Sequence, residues 1–290
     1  MGSENALLQG AEERAVLITG ASTGIGEATA LLLAREGFRV FAAVRRKQDA
    51  ERLRGQGVKL ETLLLDVTDD DSVSNAAKEV AAATGGGRLF ALVNNAGIAV
   101  AGPLECLPIA ELEKQLDINV VGPVRVTQVF LPMLRAGNGR IVMMSSIAGR
   151  SALPVVGAYN ASKFALEAIA DTWRVELYQW GIPVILVEPG ATKTPIWDKS
   201  ATLTTGSIAG ADPASVEMYR DMIAVGSKFA QKASVEGMEV EEVAQIVLRA
   251  LTAVRPKARY LLGRRIWQRV VLEKVPIRLR DWILFRGTRG

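Results

Sequence analysis

Short apolar runs recur along the chain, and most are followed by a polar or glycine-rich turn and then by a helical pattern. The runs occupy residues 15–19, 39–44, 59–65, 89–93, 140–144, 182–187 and 259–262. Apolar runs of this length, bounded by turn residues, are typical of buried strands. Strands that alternate with helices indicate a parallel sheet with helices on both faces. The pattern therefore predicts an α/β fold with a doubly wound parallel sheet.

The same pattern predicts one domain with a C-terminal helical extension. Residues 14–263 contain neither an internal repeat nor a linker, and their number suits one large α/β domain. Within them, residues 196–237 show weak periodicity, so we predict a long loop that acts as a lid or specificity loop. Residues 1–13 are a polar, acidic tail unlike a signal peptide. Residues 264–290 are basic and amphipathic.

Composition excludes several kinds of chemistry. The chain has 290 residues, of which 49% are hydrophobic, and it has no histidine. A Ser-His-Asp triad, a Cys-His dyad and a His-ligated zinc site are therefore excluded, and we predict no metal site. Cys106 is the single cysteine, which is typical of a reducing compartment and favours the cytoplasm. No uncharged apolar run reaches the ~18 residues of a spanning helix.

The positive charge of the chain is concentrated at its C-terminal end. The net charge is +4, but residues 255–290 hold eleven Lys and Arg against two acidic residues, a local excess of +9. The preceding residues therefore carry a net charge of −5. A basic body of the kind that binds nucleic acid is not indicated, and no nucleic-acid partner is predicted.

A glycine-rich loop follows the first predicted strand. Residues 19–26 read T-G-A-S-T-G-I-G, and a helical pattern begins there and ends near Gly37. Gly20 permits a tight turn, while Gly24 and Gly26 allow the backbone to approach a pyrophosphate at the helix N-terminus. An ordinary glycine-rich turn is the alternative. The flanking strand and helix favour a dinucleotide-phosphate site.

Charges at the ends of the next two strands indicate which dinucleotide binds. Arg45 follows the second strand, where an acidic residue would accept a hydrogen bond from the ribose of NAD. Arginine suits the 2′-phosphate of NADP, so NADP(H) is favoured over NAD(H), with a solvated basic turn as the alternative. Asp66 ends the third strand, where it either meets the adenine or caps the helix that starts near Asp69.

Two asparagine-containing motifs are further candidates. N-N-A-G at residues 94–97 ends the fourth strand and either satisfies a tight bend or lines the cofactor crevice. Asn119 lies inside a long helical pattern from Pro108 to Met133. Asparagine competes for backbone hydrogen bonds within helices, so we expect Asn119 to hold a buried partner or a water.

Acid–base chemistry is predicted between Ser146 and Lys163. Tyr159 and Lys163 lie four residues apart, which puts them on one face of a helix predicted to continue to Trp180. An ammonium beside a phenol favours the phenolate, so Lys163 is expected to lower the pKa of Tyr159 and allow proton transfer to a substrate oxygen. Ser146 follows a buried strand and can reach the same pocket. A chance pair on a solvated helix is the alternative.

Together these motifs resemble the short-chain dehydrogenase/reductase family. Five motifs agree in order and spacing between about Ala15 and Tyr260: T-G-A-S-T-G-I-G, the D-V at Asp66, N-N-A-G, Ser146 with Tyr159-x-x-x-Lys163, and P-G-A-T-K-T. The stretches P-V-V-G-A-Y-N-A-S-K-F-A-L-E and V-I-L-V-E-P-G look like the retinol- and hydroxysteroid-dehydrogenase side of the family. The resemblance implies a Rossmann-type fold and an apolar alcohol or ketone as substrate.

The resemblance also implies a role for each matching residue. The implied catalytic tetrad is Asn119, Ser146, Tyr159 and Lys163, in which Asn119 holds a water that resupplies the proton through Lys163. The implied cofactor site comprises Gly20, Ser22, Thr23, Gly24, Ile25, Gly26, Arg45, Asp66, Val67, Asn94, Ala96, Gly97, Tyr159, Lys163, Pro189, Gly190, Thr192 and Thr194. A homodimer or homotetramer assembled partly through the Tyr159 helix is implied as well.

Two departures from the family pattern concern this site. Some members carry a basic residue in the glycine loop, where this chain has Ser22 and Thr23. The NADP interpretation therefore depends on Arg45. Asn160 stands where many members have Ser or Cys, at a position that tolerates exchange.

The sequence is thus interpreted as an NADP(H)-dependent oxidoreductase that interconverts an alcohol and a ketone or aldehyde. Ser146 would polarise the substrate oxygen in an oxyanion-type role. The alternative is a cofactor-binding sensor that kept the fold and lost the chemistry. The complete tetrad favours the enzyme.

The tail from Arg264 to Gly290 supports two further hypotheses. Its apolar residues recur at helical spacing among arginines, and Pro276 is expected to break the helix. Basic residues mixed with Trp, Phe and Leu suit a helix lying on anionic lipid, a peripheral membrane contact. The alternative is that the tail packs on the body or on a partner subunit.

Overall fold

A seven-stranded parallel sheet forms the centre of the molecule in the computed structural model, which describes residues 14–196, 208, 210–263 and 266–287. The spatial order of the strands is β3-β2-β1-β4-β5-β6-β7, and each adjacent pair is parallel. The strands are β1 Ala15–Ile18, β2 Arg39–Val44, β3 Glu61–Leu64, β4 Ala91–Asn94, β5 Arg140–Met144, β6 Val184–Pro189 and β7 Arg259–Leu262.

Helices connect the strands and cover both faces of the sheet. They are α1 Gly24–Arg35, α2 Lys47–Arg54, α3 Asp70–Ala83, α4 Ile109–Leu116, α5 Gly122–Ala136, α6 Gly157–Glu176, α7 Pro213–Met218, α8 Arg220–Glu236, α9 Val240–Thr252, α10 Ile266–Leu272 and α11 Ile277–Gly287. A π-helical turn, Asp117–Val121, joins α4 to α5.

The core consists of two layers because side chains alternate along each strand. Leu17 of β1 belongs to the layer that contains Phe130 of α5. Its neighbour Ile18 belongs to the opposite layer, with Leu33 of α1 and Val247 of α9. A sheet covered on both faces needs strands that are apolar throughout, which is the pattern that predicted them. The predicted Rossmann-type doubly wound sheet is confirmed.

Two predicted secondary-structure assignments were wrong. The single helix predicted over residues 108–133 is divided by the π-helical turn that contains Asn119. Part of the loop predicted over residues 196–237 is helical, since α7 and α8 lie within it. Ala233 is the buried residue of α8, so this helix packs only lightly on the rest of the molecule. Residues 197–207 and 209 lie outside the described residues, as does the predicted N-terminal tail, residues 1–13.

The C-terminal extension is helical on both sides of Pro276, as predicted. Its first helix contacts the body, because Ile266 is buried and Arg269 Nη2 donates to the carbonyl oxygen of Ser151 at 3.1 Å. The second helix, α11, exposes Ile277, Trp282 and other large apolar side chains. Within the described part of the chain, no helix is both long and apolar enough to cross a bilayer.

Candidate active site

The glycine loop between β1 and α1 is packed so closely that side chains are excluded from it. Gly20 has a φ of +64°, and a Cβ added there would lie 2.7 Å from the Cα of Ala96. A Cβ on Gly26 would lie 2.4 Å from both the Gly20 carbonyl oxygen and the Nδ2 of Asn95. The first turn of α1 therefore lies directly against the loop. The absence of a Cβ at Gly20 and Gly26 makes this close approach possible.

Asn95 holds the loop in place and so satisfies backbone groups in a tight bend, one of the two roles predicted for the N-N-A-G motif. Its Nδ2 donates to the carbonyl oxygens of Thr19 at 3.0 Å and Gly20 at 3.1 Å. Thr19 Oγ1 accepts from the backbone N–H groups of Asn95 at 3.0 Å and Ala96 at 3.1 Å. These bonds join the ends of β1 and β4, the two central strands where the strand order reverses.

Asn94 was predicted to contact the ribose side, and its side chain lies elsewhere. Its Nδ2 donates to Thr127 Oγ1 at 2.9 Å, in the core beneath α5, and the residue is 3% exposed. Alternation along β4 causes this difference, because consecutive side chains point to opposite faces of a strand. Asn95 lines the cleft and Asn94 does not.

A dinucleotide phosphate would be met by backbone donors at the start of α1. Thr23 precedes this helix, and its side chain makes no capping hydrogen bond to the first N–H groups. The first turn lines the cleft through Gly24 and Ile25, next to Ser22 and Thr23. Uncapped N–H groups and the helix dipole favour an anion at this position. The residues present therefore fit a pyrophosphate.

The two arginines after β2 differ in their surroundings. Arg46 Nε donates to Asp49 Oδ2 at 2.8 Å, and Arg46 Nη2 to Asp49 Oδ1 at 3.2 Å. Arg45 lies at the rim of the cleft, and among the described residues no ion pair involves it. Arg45 is therefore the guanidinium of this turn that can receive a phosphate.

Asp66 and Val67 line the cleft at the end of β3. Asp66 Oδ1 accepts from the Thr68 N–H at 3.0 Å and from Thr68 Oγ1 at 2.7 Å, which fixes the turn. Asp69, not Asp66, caps α3, since its Oδ1 accepts from the Ser72 N–H at 2.8 Å. The capping alternative for Asp66 is thus excluded, and Asp66 remains a candidate for adenine contact.

Ser146, Tyr159 and Lys163 meet in the same cleft. Ser146 Oγ accepts from the Ala148 N–H at 3.1 Å, which holds the serine at the end of β5. Lys163 Nζ donates to the Met144 carbonyl oxygen at 2.8 Å and lies 5.6 Å from the centroid of the Tyr159 ring. All three residues are less than 9% exposed.

The pKa of Tyr159 shifts in the direction opposite to the sequence prediction. Burial raises the pKa of the phenol to about 12, and a hydrogen bond with Ser146 opposes that rise. Burial also lowers the pKa of Lys163 to about 8, which the negative charge of Glu167 opposes. Desolvation disfavours both ions and outweighs the attraction between them. The phenol is therefore protonated at neutral pH.

Asn119 does not line the cleft with the other three members of the predicted tetrad. Its Nδ2 donates to the Ile98 carbonyl oxygen at 2.9 Å and to Ser162 Oγ at 3.1 Å, while its Oδ1 accepts from the Ile98 N–H at 2.9 Å. Its amide group therefore has buried protein partners, one of the two possibilities predicted for it.

Gln115 supports the same segment from one helical turn earlier, a role missed from the sequence. Its Oε1 accepts from the Val100 N–H at 2.7 Å, and its Nε2 donates to the Ile98 carbonyl oxygen at 2.8 Å. The spacing of four residues from Asn119 was the available signal. Together the two amides fix residues 98–100, of which Ile98 and Ala99 line the cleft and Ala99 packs against Tyr159.

The end of β6 closes the cleft on the side opposite β3. Thr192 Oγ1 donates to the Gly190 carbonyl oxygen at 3.1 Å, and Thr194 lies against Gly24 of the glycine loop. The predicted residues that line this one cleft are Gly20, Ser22, Thr23, Gly24, Ile25, Arg45, Asp66, Val67, Ala96, Gly97, Ser146, Tyr159, Lys163, Pro189, Gly190, Thr192 and Thr194. The predicted residues outside its lining are Gly26, Asn94 and Asn119.

The chain is similar to known proteins over most of its length. A family model described as short chain dehydrogenase matches residues 14–203. An NADPH-dependent 3-dehydrocapnine reductase of Ornithobacterium rhinotracheale is 35% identical over 283 residues, 95% of this chain and 98% of that protein. Retinol dehydrogenase 16 of Homo sapiens is 37% identical over 270 residues, 90% of this chain and 84% of that protein.

A solved structure agrees with the fold. The crystal structure of a short-chain dehydrogenase from Streptomyces avermitilis is similar with a TM-score of 0.76 and 30% sequence identity. The similarity covers 95% of this chain and 98% of that one.

Proposed function

Because this chain belongs to the short chain dehydrogenase family, we propose that it is an NADP(H)-dependent oxidoreductase that interconverts an alcohol and a ketone or aldehyde. The observation that carries the proposal is the single cleft in which Ser146, Tyr159 and Lys163 face the glycine loop. When bound there, the nicotinamide supplies a hydride to the carbonyl carbon.

Side chains of the protein orient the substrate oxygen and supply its proton. Tyr159 donates a proton to the substrate oxygen in the reducing direction, since its phenol is protonated at neutral pH. Ser146 donates a hydrogen bond to that oxygen and orients it. The Lys163 ammonium stabilises the phenolate that remains on Tyr159 after the proton has left.

NADP(H) is the proposed cofactor because Arg45 is available at the rim while Arg46 is paired with Asp49. A charge-assisted contact between Arg45 and a 2′-phosphate is worth about 1.5–3 kcal/mol. The similarity to an NADPH-dependent reductase supports the same choice.

The proposed substrate is apolar near its reacting carbon. Tyr159 is packed among Ala99, Ala148, Val156 and Ile196, so the space beside the phenol is lined with hydrocarbon. Apolar walls with a few polar groups at one end favour a carbonyl attached to an apolar group. The similarity to a retinol dehydrogenase supports a retinoid, steroid or acyl type of substrate.

A turnover screen tests this proposal. Purified protein is mixed with NADPH or NADH and a panel of retinoid, steroid and acyl ketones and aldehydes, and cofactor oxidation is followed by absorbance. We expect turnover of at least one compound, faster with NADPH. Tight NADPH binding without turnover of any compound would favour the alternative, a catalytically silent sensor.

The tail supports a second proposal, a peripheral contact with anionic membrane. Ile277, Leu279, Trp282, Ile283 and Phe285 of α11 are each more than 40% exposed, although they are large and apolar. The segment from residue 255 onward carries the +9 charge excess. An exposed helix that combines apolar and basic side chains suits a lipid interface with negative headgroups.

Co-sedimentation with vesicles tests the membrane proposal. The full chain should sediment with phosphatidylserine-containing vesicles at low salt and remain in the supernatant with neutral vesicles. A chain ending at Val275 keeps Ile266 and Arg269, which contact the body, and should not sediment. If the full chain stays in the supernatant and the shortened chain loses its oligomeric state, α11 packs on a partner subunit instead.

A homodimer or homotetramer is also proposed. Phe164 on α6 is 43% exposed, and Val175 near the end of the same helix is 78% exposed. Both residues lie on α6, the Tyr159 helix, through which the subunits were predicted to assemble. Sedimentation velocity of the full chain should give a dimer or tetramer, and a monomer would contradict this assignment.

A further inference from the structure

A group of charged side chains lies one to two helical turns beyond Lys163 on α6 and on the neighbouring strands β6 and β7. Arg259 of β7 contacts Glu167 and Asp171 of α6 and also Glu188 of β6. Arg150 Nη1 lies 3.2 Å from Glu188 Oε2. The group therefore joins the helix that carries Tyr159 and Lys163 to the strand that ends at Pro189.

Glu167 is the member of this group that faces Lys163. The two residues are four apart in α6 and lie on one face of the helix. Glu167 is 7% exposed, and its buried carboxylate has the Arg259 guanidinium and the Ser145 hydroxyl as partners. A carboxylate this buried is rare unless it is paired.

The turn at Gly149 packs closely on the part of α6 that holds Lys163 and Glu167. A Cβ added to Gly149 would lie 2.9 Å from Glu167 Cγ, 2.9 Å from the Lys163 carbonyl oxygen and 3.0 Å from Ser145 Oγ. The turn therefore covers the stem of Glu167 and helps to exclude solvent from it. A charge interaction in such a site is stronger than one at the surface.

We propose that Glu167 is a positioning residue for the proposed carbonyl chemistry, and that its buried carboxylate keeps the Lys163 ammonium charged during turnover. Lys163 donates to the Met144 carbonyl oxygen, which carries no net charge, so Glu167 supplies the negative charge close to it. Arg259 contacts the Glu167 carboxylate and favours its ionised form. The role in turnover rests on the proposed function, whereas the interaction with Lys163 does not.

The charged and titratable groups around the pair come from four elements. Tyr159 and Asp171 lie on α6 itself, Glu188 lies on β6, Arg259 lies on β7, and Arg150 follows β5. The pKa of Glu167 is raised overall, because burial and the charge of Glu188 raise it by more than the Ser145 hydrogen bond and Arg259 lower it. The Glu167 charge in turn raises the pKa of Lys163.

The test uses Glu167→Gln, which keeps the shape of the side chain and removes its charge. The rate of carbonyl reduction should fall as pH rises through the pKa of Lys163. In the variant we expect this fall to occur about 1 pH unit lower than in the wild-type protein, because an opposite charge within reach shifts a pKa by that order. Glu167→Asp retains the charge and should restore most of the shift.

Asp171→Asn is the matched control. Asp171 lies one turn further along α6 and contacts the same Arg259, yet it is not among the groups that shift the pKa of Lys163. It should leave the pH midpoint unchanged. If Glu167→Gln and Asp171→Asn both lower the melting temperature and neither moves the midpoint, Glu167 is only an ion-pair residue and the proposal is wrong.

A second measurement requires neither substrate nor NADPH. The free energy of unfolding should rise with pH between about pH 8 and 10.5 as the folded chain releases the Lys163 proton. In Glu167→Gln that rise should begin about 1 pH unit lower. The measurement remains decisive if no substrate is found, so failure of the proposed function and failure of this inference are distinguishable.

Discussion

The catalytic cleft and the C-terminal tail both combine cationic with apolar side chains, and they use them in opposite ways. Lys163 is 6% exposed, its Nζ donates to the Met144 carbonyl oxygen, and the charge of buried Glu167 opposes the lowering of its pKa by burial. In α11, Trp282 is 50% exposed, and Arg286 stacks over its ring at 4.1 Å. The protonation of a buried cation is therefore set by its tertiary neighbours, whereas an exposed cation behaves as its residue type does in water.

The largest expected effect is at Tyr159, in the cleft. Tyr159→Phe removes the proton donor and keeps the ring, so turnover should fall by about 10²–10⁴-fold, the usual contribution of general acid catalysis. NADPH binding, measured by fluorescence, should be retained. Near-normal turnover in this variant would show that Tyr159 is not the acid.

A pH series tests whether the tertiary neighbours of Lys163 lower its pKa. Its pKa is lowered from 10.5 to about 8, so between these pH values the unfolded chain holds a proton that the folded chain has released. Stability should therefore rise with pH across this window, by about 3 kcal/mol relative to Lys163→Met. Denaturant titrations at each pH measure the difference in free energy of unfolding between the wild type and Lys163→Met. Both proteins contain Tyr159, so its titration contributes to both and is removed by the subtraction. A flat difference would indicate that the folded lysine titrates like an exposed one.

Arg45 is an exposed cation for which a specific ligand is proposed. Arg45→Ala should weaken NADPH binding by about ten- to a hundredfold and leave NADH binding nearly unchanged. Arg45→Asp should reverse the preference. Arg46→Ala is the control, because Arg46 is paired with Asp49 and should have little effect. Equal use of both cofactors by the wild-type protein would make Arg45 an ordinary surface residue.

Gly26 tests the close packing of the cleft. In Gly26→Ala the new methyl group would lie 2.4 Å from the Gly20 carbonyl oxygen, so we expect a loss of about 1–3 kcal/mol in stability and weaker NADPH binding. Gly210→Ala is the control, since no atom of the described residues lies within 4 Å of its Cβ position. Both are measured by denaturant unfolding. An equal response of the two variants would contradict the close approach of α1.

Removal of α11 is expected to have the smallest effect on the stability and turnover of the protein. Ending the chain at Val275 removes mostly exposed side chains, so the free energy of unfolding should change by less than about 1 kcal/mol, and turnover should persist. A larger loss of stability would show that α11 is part of the packed structure. The contrast between a packed cleft and an exposed tail would then not hold.

Hydrophobic periodicity predicted the strands well because a doubly covered sheet requires continuous apolar runs. It failed where burial is slight. Residues 220–236 were predicted as part of a loop although they form α8, a helix whose buried residue is Ala233 and whose apolar residues are interspersed with Gly, Ser, Lys and Gln. The helix predicted through residue 119 was assigned as regular, although a π-helical turn lies there.

Within the site, side-chain direction was the information missing from the sequence. Asn94 and Asn95 are adjacent and chemically identical, yet one amide bonds Thr127 in the core and the other holds the glycine loop. Alternation shows that they differ but not which one faces the cleft. The roles of Gln115 and Glu167 depend in the same way on residues far away along the chain.

The sequence by itself determined the parallel α/β fold, the glycine loop and the positions at which polar residues follow the strands. These features are local, since they depend on apolar periodicity and on residues a few positions apart. Tertiary structure alone decided the pKa directions of Tyr159 and Lys163 and the pairing of Glu167 with Arg259. The physical reason is that desolvation and charge interactions depend on burial and distance, which are created only when distant segments pack together.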